Sequence, residues 1–132
     1  MKQLTVLLVM LLCAAGLWAQ NYLREAEYYQ RKAESYRREA DYYQRKAQGY
    51  DREAEYYLKK AEGYQREAAY YTKRGDMDRA RTQTRYAEDA LDRARTQQRY
   101  AQEARERAAT QLRYASEADE KAAMYLRRAT GK

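Results

Sequence analysis

From Tyr22 to Tyr71 a tyrosine and an alanine each recur at every seventh residue. The tyrosines are Tyr22, Tyr29, Tyr36, Tyr43, Tyr50, Tyr57, Tyr64 and Tyr71, and the alanines are Ala26, Ala33, Ala40, Ala47, Ala54, Ala61 and Ala68. With the alanines as position a and the tyrosines as position d, this is a heptad pattern. Such a pattern predicts a left-handed coiled-coil seam, because a slightly underwound helix keeps one stripe against its partner. The polar positions repeat on a longer period of fourteen residues: YLREAEYYQRKAES, YRREADYYQRKAQG, YDREAEYYLKKAEG and YQREAAYYTKRGDM. A second family of repeats begins at Asp78, again with alanines at every seventh residue (Ala80, Ala87, Ala94, Ala101, Ala108, Ala115, Ala122 and Ala129). Three residues after them come Gln83, Ala90, Gln97, Ala104, Gln111, Ala118 and Tyr125.

The heptad phase breaks between the two blocks, where the chain reads Arg74-Gly75-Asp76-Met77-Asp78. Gly75 stands where the next alanine is due, and the acidic residues after it suit a helix start. This predicts an all-α fold of two long antiparallel helices, a coiled-coil hairpin with an Ala/Tyr seam. The first helix spans 20–74, the turn 75–77 and the second helix 78–132. At about 50 residues each, the helices would be roughly 75–80 Å long. Folding the chain back between Gly75 and Asp76 sets Tyr71 opposite Ala80, Tyr64 opposite Ala87, Tyr57 opposite Ala94, and so on to Tyr22 opposite Ala129. Large then faces small at each tyrosine layer, as an interdigitating seam requires. The layers between set Ala61 against Ala90, Ala47 against Ala104 and Ala33 against Ala118, alternating with Ala68, Ala54 and Ala40 against Gln83, Gln97 and Gln111.

Residues 1–19 have the form of a secretory signal peptide: Lys2, then the apolar run Leu4–Leu12, then small residues from Ala14 to Ala19. A retained anchor or a lipidated Cys13 are the competing readings. Cys13 is the sole cysteine, so cleavage after Ala19 would leave no thiol and no disulfide, and a secreted, extracellular chain held together by other means.

A second stripe lies off the seam. Position c of the first block reads Tyr28, Ser35, Tyr42, Gly49, Tyr56, Gly63, Tyr70. Glycine inside a helix costs about 1 kcal/mol relative to alanine, so Gly49 and Gly63 suggest notches for rings from a neighbouring molecule. In the second block the residue before each alanine reads Arg79, Tyr86, Arg93, Tyr100, Arg107, Tyr114, Lys121. Arginine stacking on tyrosine, within or between molecules, fits that alternation. Tyr28, Tyr42, Tyr56, Tyr70, Tyr86, Tyr100 and Tyr114 are therefore the candidate assembly or cross-linking residues. Oxidative coupling of phenols, or their hydroxylation, could join chains where cysteine cannot.

Composition narrows the function classes. Charged residues make up 36% of the chain, Pro and His are absent, and the formal net charge is +7. The charges interleave, acid before base at i, i+4, as in Glu27/Arg31, Glu34/Arg38, Asp41/Arg45, Glu55/Lys59, Asp89/Arg93, Glu103/Arg107 and Glu117/Lys121. Each such pair adds about 0.2–0.5 kcal/mol to a helix. With no histidine, no nucleophile setting and no phosphate-binding glycine loop, neither enzyme activity nor a cofactor or metal site is expected. Arg74-Gly75-Asp76 is the tripeptide read by integrin-type receptors and falls at the turn, where a helix stop and start would produce the same residues.

Alanine-seamed heptads following a signal peptide resemble the secreted coiled-coil structural proteins of silk, egg-case, byssal and shell-matrix materials. The resemblance covers the chain after residue 19 and implies a structural protein of the extracellular matrix that self-associates through tyrosine-rich faces. The alternative is a basic module for acidic polysaccharide or other polyanions, or adhesion through the Arg74-Gly75-Asp76 tripeptide. Nucleic acid is not an expected partner, and no membrane span is expected after residue 19.

Overall fold

The computed structural model describes residues 2–131. Among these the chain is all-α: α1 spans Lys2–Lys73 and α2 spans Met77–Thr130, and the two pack against each other as a hairpin. The turn occupies 74–76, one residue earlier than the spacing of the acidic residues suggests, because Asp76 and not Asp78 caps the second helix. α1 also begins earlier than residue 20. The apolar segment contains no proline, so nothing stops the helix from extending back to Lys2.

The turn is built from backbone hydrogen bonds. The Asp76 amide donates to the Tyr71 carbonyl (3.0 Å) and the Gly75 amide to the Thr72 carbonyl (3.1 Å), the bond pair of a Schellman motif. Gly75 has φ +77°, a left-handed conformation that a Cβ disfavours. Asp76 then starts α2: the Arg79 amide donates to its carboxylate (3.2 Å) and the Ala80 amide to its carbonyl (3.1 Å). One residue thus completes the end of α1 and opens α2. Gly75→Ala is expected to destabilise the chain by about 1–2 kcal/mol, seen as a lower urea midpoint with an unchanged slope.

Contacts divide the chain into two compact units, Asp41–Ala108, which holds the turn, and Met1–Ala40 with Ala109–Lys132. In the unit with the turn, the core is alanine: Ala47, Ala54 and Ala61 on α1, with Ala80, Ala87, Ala90, Ala94, Ala101, Ala104 and Ala108 on α2. The d tyrosines Tyr43, Tyr50, Tyr57, Tyr64 and Tyr71 are half-buried beside them, as are Gln83 and Gln97. In the other unit Ala26, Ala33 and Ala40 are buried with Ala115, Ala118 and Ala122, flanked by half-buried Tyr22, Tyr29 and Tyr36. Alanine serves this role because a single methyl lets the two backbones approach closely, at no cost in side-chain entropy.

Among the described residues each unit carries one ion pair between the helices, Arg105 with Asp51 in the first and Arg37 with Asp119 in the second. Both side chains of each pair are about half exposed, so each pair is worth about 0–1 kcal/mol and helps register more than stability. On α1, Glu27/Arg31, Asp41/Arg45 and Glu55/Lys59 form the expected i, i+4 bridges, at 3.9, 3.0 and 3.4 Å.

The N-terminal part of α1 is uncovered. Leu4, Val6 to Leu12, Leu17 and Trp18 are exposed, as are the smaller residues between them. An 18-residue window here reaches a mean hydropathy of 1.8, so by length and composition it could cross a membrane. A signal sequence fits the same description. Trp18, Tyr22 and Ala19 line a shallow cleft with Arg128 and Ala129 of α2.

Candidate functional site

The d tyrosines divide into two kinds according to the residue before them. Tyr43, Tyr57 and Tyr71 each follow another tyrosine, and the two rings meet edge to face, with centroids 5.3, 5.3 and 5.4 Å apart. A cation from α2 stands over each of these d rings: Arg107 over Tyr43 (5.8 Å), Arg93 over Tyr57 (5.7 Å) and Arg79 over Tyr71 (5.6 Å). Tyr50 and Tyr64 follow glycines and take a ring instead. Tyr50 packs on Tyr100 and Tyr64 on Tyr86, with centroids 5.5 and 5.4 Å apart and planes inclined by 54°.

The second unit repeats the scheme. Lys121 stands over Tyr29 (5.3 Å), which is paired edge-on with Tyr28, whereas Tyr36, after Ser35, packs on Tyr114 at 5.5 Å and 55°. Tyr125 adds a ring where the α2 repeat elsewhere has Ala or Gln, and it stacks on Tyr29 (5.7 Å, 7°) and Tyr22 (6.3 Å).

Tyr125 apart, in each of these cross-helix pairs the partner on α2 is the residue immediately before the alanine expected opposite the tyrosine. The ring is too long to end over a methyl and extends past it to the flanking column. The expected alternation of Arg and Tyr in that column is thus used within the hairpin, with arginine or lysine on one layer and tyrosine on the next.

A third column faces outward on α1. Lys46 and Lys60 stand over the rings of Tyr42 and Tyr56, four residues earlier, at 5.2 and 5.1 Å, and Lys32 stands over Tyr28 at 5.3 Å. Arg74 continues the series over Tyr70 at 4.7 Å. The hydrogen bond from each lysine ammonium to its tyrosine hydroxyl, followed by the charge of the ionised phenol, holds Lys32, Lys46 and Lys60 above the ordinary lysine value. Sequence reasoning missed this column, although tyrosine followed by lysine at i, i+4 marks it.

Together these columns frame repeated open clefts. One of about 180 Å³ is lined by Tyr57, Lys60, Tyr64, Tyr86, Asp89, Ala90 and Arg93. Its counterpart in the other unit is lined by Tyr29, Lys32, Tyr36, Tyr114, Glu117, Ala118 and Lys121. Each cleft presents aromatic faces beside two cations and one carboxylate, an arrangement suited to stacking and weak anion contact.

All seven candidate tyrosines are exposed: Tyr28, Tyr42, Tyr56 and Tyr70 by about half, Tyr86 by 48%, Tyr100 and Tyr114 by 38% and 39%. Gly49 and Gly63 are open notches, since a Cβ at either would meet nothing within 4 Å. In the Arg74-Gly75-Asp76 tripeptide, Arg74 lies on the Tyr70 ring and the Asp76 carboxylate caps α2, with Arg79 Nε 3.5 Å away. Both of its side chains are therefore already engaged at the turn.

No protein-family model, curated protein or solved structure matches this chain.

Proposed function

We propose that this is a secreted structural protein of an extracellular matrix, which assembles laterally through its outer tyrosines. One observation carries the reading. In the unit with the turn, Tyr42, Tyr56 and Tyr70 are exposed and alternate with the open notches at Gly49 and Gly63. Glycine inside a helix gives up helix propensity, and a Cβ at either position would meet nothing within 4 Å, so close packing within the chain does not explain it. A ring from a second copy seated in each notch would supply the missing contact.

Secretion rests on the signal-like form of residues 1–19, and a structural role on the repeats and the alanine seam. Sedimentation of the chain across a range of concentrations tests the reading. Reversible association is expected, weakened at least tenfold by the triple substitution Tyr42→Ser, Tyr56→Ser, Tyr70→Ser, with helicity unchanged by circular dichroism. A chain that stays monomeric at high concentration overturns it.

A second reading, a basic module for polyanions, is favoured by the lysine and arginine that rim each tyrosine cleft. Retention on a polyanion column that falls steeply with salt would mark it, because counterion release makes such binding salt-dependent.

A further inference from the structure

The outer tyrosines of α2 are candidates for assembly or cross-linking, and each also meets a ring of its own chain. Tyr86, Tyr100 and Tyr114 each lie against a d tyrosine of α1 in the same chain, with ring centroids 5.4, 5.5 and 5.5 Å apart. We propose that the pairs Tyr64/Tyr86, Tyr50/Tyr100 and Tyr36/Tyr114 are sites of intramolecular dityrosine formation, which staples α1 to α2 across the seam.

Ring geometry distinguishes these pairs, and access permits the reaction. Their planes are inclined by 54 to 55°, neither coplanar nor perpendicular, and a biaryl with hydroxyls next to the new bond is twisted in the same sense. The neighbouring pairs such as Tyr42/Tyr43 and Tyr56/Tyr57 meet edge to face at 67 and 66°, and both of their rings belong to α1, so a bond between them would not join the two helices. The Tyr29/Tyr125 pair is nearly parallel, at 7° with centroids 5.7 Å apart, and lacks that twist. Finally, Tyr86, Tyr100 and Tyr114 are exposed enough for an oxidant to reach.

The chemistry balances with a haem peroxidase and hydrogen peroxide as the oxidant. Each phenol gives up one electron and its hydroxyl proton, leaving two phenoxyl radicals. These couple to form one bond between the ring carbons ortho to the oxygens. The hydrogen on each of those carbons then moves to the oxygen as aromaticity returns. The pair has lost two hydrogens in total, and one hydrogen peroxide has become two waters. Phenylalanine cannot take part, because it has no hydroxyl hydrogen to lose.

Proximity decides between coupling within a chain and coupling between chains. Tethered partners experience an effective concentration on the order of millimolar or more. At about 10 μM chain, coupling inside the hairpin is therefore favoured roughly 100-fold over coupling between free hairpins. The proposal rests on the secreted structural reading for its extracellular oxidant alone.

The test is to treat the full chain in dilute solution with a haem peroxidase and hydrogen peroxide, then map cross-linked peptides by mass spectrometry. The expected product is monomeric on a denaturing gel, lighter by two hydrogens per link, with peptides joining Tyr64 to Tyr86, Tyr50 to Tyr100 and Tyr36 to Tyr114. The triple variant Tyr86→Phe, Tyr100→Phe, Tyr114→Phe keeps the ring packing and the helicity, and is expected to lose at least tenfold in intrachain dityrosine. Links found mainly between chains, links confined to neighbouring tyrosines, or an undiminished yield in the triple variant would each overturn the proposal. Lateral assembly is judged separately, by sedimentation of the untreated chain, so the two ideas fail independently.

Discussion

Replacing Ala101 with leucine is expected to destabilise the chain by about 1–3 kcal/mol, although leucine is the more hydrophobic residue and a good helix former. Ala101 is fully buried, 0% exposed, on the same turn of α2 as Tyr100, whose ring packs on Tyr50. The seam is filled by methyl groups with tyrosine rings set beside them, so three added carbons have no space to occupy. Accommodating them means spreading the helices, and that loosens the neighbouring alanine layers as well. An area argument alone gives the opposite sign, since burying more apolar surface should stabilise by about 25 cal/mol per Å². Packing overrides it because interiors this close to close-packed transmit strain. Gln98→Leu, at an exposed site on the same helix, should stay within about 0.5 kcal/mol of the parent. Urea unfolding followed by circular dichroism reads both, and equal midpoints for the two variants would show that the seam is not tightly packed.

Tyr42 and Tyr43 are neighbours in sequence with unequal expected costs. Tyr43 is half-buried at the seam and lies under the Arg107 guanidinium. Tyr43→Ala removes that ring, leaves a gap beside Ala47 and ends the cation–π contact. Full burial of an aromatic ring would set the cost at 3–5 kcal/mol, and half burial reduces it to about 2 kcal/mol. Tyr42 is 51% exposed and meets Tyr43 edge-on, so Tyr42→Ala should cost no more than about 0.5–1 kcal/mol. Its larger effect is expected on association. Stability by urea unfolding and self-association by sedimentation should therefore separate the two substitutions in opposite directions.

Much of the fold was legible because the information is local and periodic. Alanine at every seventh residue in both blocks marks the buried stripe, and nearly all of these alanines are buried. Gly75 followed by Asp76 marks the turn, since one residue type suits the left-handed position and the other a helix cap. The direction of the side chains was less legible. Arg93, Arg107 and Lys121 each follow an acid at i, i+4, which suggests bridges along α2, yet they reach across to Tyr57, Tyr43 and Tyr29. Magnitudes account for this: a solvated i, i+4 pair is worth about 0.2–0.5 kcal/mol, and a cation over an aromatic face about 0.5–1 kcal/mol or more. Nor does spacing along one helix reveal that Tyr86, Tyr100 and Tyr114 find rings on the other. That pairing depends on how far a tyrosine extends beyond a facing alanine, which appears only once both helices are in place.

The alternation of doubled and single tyrosines along α1 also limits sliding. All the seam positions of α1 repeat every seven residues, so the seam alone would accept a shift of α2 by one heptad. The flanking columns would not. Such a shift brings Tyr86 to a doubled tyrosine, whose ring edge is already taken, and sends Arg93 to a single tyrosine beside glycine, where it meets half the aromatic surface. Matching partners return only after fourteen residues, or about 21 Å of helix. If hairpins open and exchange helices, the exchanged pairs can settle only in steps of that length, and chain ends in a growing fibre would be staggered in whole units of two heptads.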